Sequence, residues 1–154
     1  MFGHPRNDSE AIVTQALSFE RPDRMPVFDS FWDGFIENWR TTRNPPLDME
    51  IEDYYWTDLA VPVANETLFP TRMSELGKDG EYVLVNDGWG RVIRTKPGTY
   101  FSEPVERVFN SPSDLDKMKF DPADLDSRYE KFTEQVRMHK SKNRAVFVKI
   151  GGPF

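Results

Sequence analysis

The stretch ERPDRMPVFDSFWDGFIENW, residues 20–39, decides how the chain is read. Pro22 closes the helical segment before it, and Asp23 and Arg24 turn the chain. Met25 to Phe31 then reads as a strand in which apolar Val27 and Phe28 adjoin, the pattern of a strand covered on both faces. From Asp33 to Arg40 the spacing of Phe35, Ile36 and Trp39 is helical, with Asp33 and Glu37 on one face at i, i+4. A covered strand followed at once by a helix predicts an α/β fold. In such folds sites are built just past the carboxyl end of a strand, which makes Asp29, Asp33 and Glu37 the first residues to question. Asp29 leads because it lies on the strand. The plainer alternative for all three is a solvated helix start, where the macrodipole favours acidic groups.

Upstream, Asn7-Asp8-Ser9-Glu10 reads as a capped helix start with a stripe of Ile12, Val13, Ala16 and Leu17. Downstream, Pro45-Pro46 ends the second helix, and an acidic turn over residues 49–53 leads into Tyr54-Tyr55-Trp56 and the apolar edge at Asp58. Residues 82–85 and 89–95 are β-rich runs around Asn86-Asp87-Gly88, a hairpin signal. There Trp89, between two glycines, reads as hairpin packing. Ser111-Pro112-Ser113-Asp114 looks like a capped helix start running to about Lys119. Asp121-Pro122 is expected to open the longest helix, with Leu125, Tyr129, Phe132 and Val136 on one face and an end near Lys142-Asn143. His139, near its last turn, reads as a dipole-favoured or half-buried histidine, and His4 lies in the leading tail. Residues 145–150 form the most continuous apolar, β-branched run and predict a buried strand. Because such a strand needs neighbours on both edges, a chain that stops at Phe154 is expected to be a truncated piece.

At 154 residues one domain with a real core is the expectation, spanning residues 1–154. The net charge of −6 disfavours a nucleic-acid partner, whose affinity would rest on neutralising phosphates. Absence of cysteine removes disulfides and thiolate metal sites. No apolar run reaches the length of a membrane span, and residues 1–24 carry no signal-peptide core, so a cytoplasmic protein acting on a small molecule is expected.

Taken in order, Arg21-Pro-Asp-Arg-x-Pro-Val27, Trp56 to Pro62, Asp87-Gly-Trp-Gly90 and Gly151-Gly-Pro-Phe154 resemble the amino-terminal part of the uroporphyrinogen decarboxylase family. The resemblance implies the leading part of a TIM (β/α)8 barrel carrying an inserted β-hairpin. It also implies cofactor-free decarboxylation of a porphyrinogen-type substrate. Trp56-Thr57-Asp58-Leu59-Ala60 matches the segment whose aspartate stabilises the cation formed on the pyrrole, so Asp58 inherits the catalytic role. The family's arginine-rich substrate motif, lined up on Pro26-Val27, puts Phe31 and Phe35 at the arginine positions and retains only Gly34. Asp29, Asp33, Gly34, Phe31 and Phe35 are thus the expected substrate-binding positions, aromatic and acidic where guanidinium would hold carboxylates.

Relatives lacking the arginines include corrinoid-linked methyltransferases that use zinc. That alternative implies a corrinoid protein as partner and metal ligands beyond residue 154, since a chain with two histidines and no cysteine supplies no zinc site of its own. A non-catalytic fragment or pseudoenzyme is the third alternative. A homodimer is left open.

Overall fold

The computed structural model describes residues 8–99 and 101–149. They form two compact units, one built from the chain up to Ala64 and from Tyr129 onward, the other from Asn65–Arg128. The whole is mixed α/β, with one parallel and one antiparallel sheet and no closed barrel among the described residues.

The first unit carries α1 (Ser9–Leu17), α2 (Asp33–Arg43), the single turn α3 (Ile51–Tyr54) and the two-residue strand β1 (Leu59–Ala60). Its later elements, α5 (Glu130–Ser141) and β6 (Ala145–Val146), come after the second unit in the chain. Ile12 and Val13 give α1 an apolar side, and that side packs on β1 and β6. β1 and β6 are parallel, pairing Leu59 with Ala145 and Ala60 with Val146.

Helix α1 stops at Leu17, well before Pro22. Phe19 adopts a left-handed conformation (φ 59°) and donates its amide to the Ala16 carbonyl, so the chain closes its own helix end. Asn7, expected as the cap, lies outside the described residues. Asp8 stands at the cap position, but its carboxylate is turned to Arg24 instead of the helix amides. α2 runs one turn past Arg40 and ends on Asn44 in the left-handed region.

Two expected strands are shorter than their apolar runs. Residues 25–31 enter no ladder; among the described residues the Asp58 amide donates to the Val27 carbonyl (2.7 Å). The Val27 amide goes to the Asp58 side chain at 2.8 Å, so a carboxylate stands where a strand neighbour's carbonyl would. β6 stops at Val146, and Phe147 and Val148 are exposed because no second neighbour covers them among the described residues. Residues 150–154 lie outside the described residues.

The second unit is a meander of β2 (Ser74–Asp79), β3 (Tyr82–Asn86), β4 (Arg91–Thr95) and β5 (Ser102–Arg107), paired antiparallel in that order. The hairpin at Asn86-Asp87-Gly88 is present as β3–β4, and the outer strands extend it. Asn86 and Asp87 each accept the amide two residues on, Gly88 and Trp89, the Asx geometry that bends the chain. Gly90 sits at φ 77°, where an added Cβ would fall 2.5 Å from the Phe109 ring. Close packing thus belongs to the glycines, while Trp89 itself is 44% exposed. Phe69 is the most buried apolar side chain and meets the Phe109 and Phe120 rings.

A one-turn α4 (Pro112–Leu115) follows, shorter than expected, with the Asp114 carboxylate accepting the Ser111 and Asn110 amides. Asp121-Pro122 opens no helix, and α5 begins at Glu130. The Asp121 carboxylate is taken by the Thr71 amide and hydroxyl, and the Pro122 carbonyl by the Arg128 guanidinium, so residues 121–128 are tied into the second unit. Leu125 and Tyr129 therefore lie off the helix they were read into.

Candidate functional site

Asp58 is 0% exposed, at the entry to β1. Its Oδ1 accepts the Ser9 hydroxyl (2.6 Å) and Arg24 Nη2 (2.6 Å). Oδ2 accepts Arg24 Nη1 (2.6 Å) and the Val27 amide (2.8 Å). A carboxylate offers about four lone-pair directions, and these donors take four. Burial by itself raises the Asp58 pKa, but the bonds from Arg24, Ser9 and the Val27 amide outweigh it and hold the group at about 2. Arg24 is shifted upward in turn, first by Asp58 and against the opposing effect of burial, with Asp8 as its second partner.

The geometry joins four parts of the sequence at one point: the start of α1 through Ser9, the Arg-Pro-Asp-Arg corner through Arg24, the extended segment through Val27, and β1. The Asp58 carbonyl then accepts the Ala145 amide (3.0 Å), which brings in β6. An ionised, saturated carboxylate can anchor chain segments and fix their register. To meet a reacting cation it would have to give up one of these donors.

The expected binding residues separate into two sets. Phe31 and Phe35 stack (centroids 5.7 Å apart), and Phe31 stacks on Tyr55 at 5.3 Å. Tyr55 meets Tyr54 edge-on, and Tyr54 meets buried Trp39 the same way. Phe35 and Tyr55 remain 45% and 40% exposed, so the cluster presents aromatic faces to solvent. Asp29 is exposed and accepts the neighbouring Ser30 amide, a local bond rather than a shared site. Asp33 opens α2 exposed, and Gly34 is half-buried in its first turn. No hydrogen bond links Asp29 or Asp33 to Asp58 among the described residues.

A second buried charged cluster went unread in the sequence. Arg144, 3% exposed, donates from Nε to the Thr57 carbonyl (3.2 Å) and from Nη2 to Asp53, and its Nη1 lies 3.1 Å from Nδ1 of His139. Lys142 reaches the other Asp53 oxygen at 2.6 Å. His139 is buried, and burial first, then Arg144 and Lys142, push its pKa down. That corrects the dipole-favoured reading, because a helix carboxyl end raises a histidine's pKa. Arg24 had a legible signal as the cation nearest a covered strand; Arg144, directly before an apolar run, had none beyond its position.

Among the described residues no group of three His, Cys, Asp or Glu side chains could hold a metal ion. His139, the histidine among the described residues, faces Arg144. No helix among them is long and apolar enough to cross a membrane. Comparison with protein-family models, with curated proteins and with solved structures finds no match.

Proposed function

We propose that the chain is a uroporphyrinogen decarboxylase-like protein whose residues here form the leading part of a (β/α)8 barrel with an inserted antiparallel sheet. The observation that carries this is the succession of Val27, β1 and β6. The Asp58 amide donates to Val27, the Ala145 amide to Asp58 and the Phe147 amide to Ala60, so the three extended segments neighbour one another in chain order. β1 and β6 are parallel, with helices in each connection, as in consecutive strands of an α/β barrel. A crystal structure of the gene product tests this: a further parallel strand on the free edge of β6 is expected, and an antiparallel one would overturn it.

In this chain Asp58 serves as an anchor, and the Phe31, Phe35 and Tyr55 rings form the ligand-facing rim. Stacked rings beside Asp29 and Asp33 suit a small planar ligand and offer nothing to a polycarboxylate. The porphyrinogen decarboxylase reading keeps one point in its favour, an Asp58 held ionised at neutral pH as a developing cation requires. Asp58→Asn separates the two. The anchor role expects a large loss of stability, whereas a purely catalytic role expects lost CO2 release from a porphyrinogen with stability unchanged. Zinc-dependent methyl transfer is the alternative, with its metal ligands placed beyond residue 154.

A further inference from the structure

Arg144 is a buried guanidinium whose donors point three ways, to the Thr57 carbonyl, to Asp53 and to the His139 ring. A guanidinium has donors only, so the ring nitrogen facing it must carry a lone pair. An imidazole accepting there through Nδ1 is neutral, with its proton on Nε2. We propose that His139 and Arg144 form an acid-released latch: the neutral imidazole ties the end of α5 to Arg144, and through it to α3 and the entry of β1, and protonation opens the tie. Protonating Nδ1 removes the acceptor and leaves two cations about 3 Å apart away from water.

The groups facing the ring are known from each neighbouring element. Arg144 and Lys142, which follow α5, present positive charge; Asp53 in α3 and Glu50 just before it present negative charge. The Asp53 carboxylate is taken by Arg144 and Lys142, and Lys140 of α5 pairs with Glu10 of α1. Histidine is the side chain whose charge ordinarily changes between about pH 5 and 8, which makes His139 the member to follow. Burial and the two cations favour its neutral form, consistent with the tautomer that the geometry demands. A folded-state pKa below 6.5 means that the contribution is complete above about pH 6.5 and is lost as pH falls through the folded value. The latch adjoins Thr57, the residue before the Asp58 anchor, and Ala145, whose amide donates to the Asp58 carbonyl, so opening it loosens the segment that carries that carboxylate.

Thermal unfolding of the chain between about pH 8 and about pH 5.5 tests the latch. The wild-type Tm is expected to fall by a few degrees across this window. In His139→Asn, whose side-chain oxygen can accept from Arg144 without titrating, Tm is expected to hold within about 1 °C. Parallel curves for the two proteins would overturn the proposal. Nitrogen NMR of the His139 ring supplies the second measurement, decisive even where the variant fails to fold. A neutral Nε2–H tautomer titrating below 6.5 supports the latch, and an Nδ1–H tautomer or a midpoint at or above 6.5 sinks it.

Discussion

Asp58, expected from the sequence as the catalytic carboxylate, is bonded in the structure to Arg24, Ser9 and the Val27 amide. A lone Asp at the edge of an apolar run marks a position where charge meets core; whether it faces a ligand or a guanidinium depends on the partner delivered from elsewhere in the chain. Here Arg24 arrives from 34 positions away and Ser9 from 49. Removing the charge while keeping the shape, as in Asp58→Asn, sets an amide NH2 against Arg24 and leaves that cation only the exposed Asp8 as partner. The expected cost is about 3 kcal/mol by urea unfolding, in the range for breaking a buried pair. Ser9→Ala removes one neutral donor and should cost only about 1 kcal/mol. Equal losses in the two variants would contradict the anchor. The same group sets an acid limit: its pKa of about 2 lies below the unfolded 3.8, so its stabilisation, roughly 2 kcal/mol, is present above about pH 4 and lost as pH falls toward 2. Asp58→Asn should flatten that part of the pH–stability curve.

Elements that close their own hydrogen bonds could be read from local sequence, and those that borrow partners could not. The β3–β4 hairpin was legible because Asn86 and Asp87 bend the chain with their own side chains, and Ser111 with Asp114 caps α4 the same way. Residues 121–129 had a convincing helical stripe, yet Thr71 and Arg128 take Asp121 and Pro122, and tertiary bonds override periodicity. β2 and β5 escaped notice because Ser74–Asp79 and Ser102–Arg107 are exposed along almost their whole length, so no burial pattern marks them. In the candidate site Phe31 and Phe35 stack on one another, whereas Asp29 and Asp33 are exposed. Glycine geometry gives the test at this scale. Gly90→Ala places a methyl against the Phe109 ring at a positive φ and should destabilise by roughly 1–3 kcal/mol. Gly80→Ala, also at positive φ but with nothing within 4 Å, isolates the backbone contribution and should cost about 1 kcal/mol. If both cost the same, the Phe109 contact carries no weight.

Across the whole chain, large apolar side chains stay in water. Phe19 is 99% exposed and Leu47 97%, and Met25, Phe28, Phe147 and Val148 lie open on or beside the extended segments of the first unit. Among the described residues, the buried hydrophobic side chains of that unit are Ile12, Val13, Trp39, Ile51, Ala60 and Ala145, beside Pro45 and Pro62. The urea m-value scales with the surface newly exposed on unfolding. A chain that already shows these residues to solvent has less left to expose, so its m-value should fall below that usual for 154 residues. Its open apolar surface should also bind a hydrophobic dye while the near-ultraviolet circular dichroism of the Phe31, Phe35 and Tyr55 cluster persists, which distinguishes open faces from loss of packing. If the proposed barrel is right, a version of the gene product long enough to supply about 250 residues covers those faces. Its m-value should then rise by more than the added length accounts for, and dye binding should fall. A normal m-value and no dye binding for the 154-residue chain would mean that its apolar faces need no further cover, and the barrel proposal would lose its physical motive.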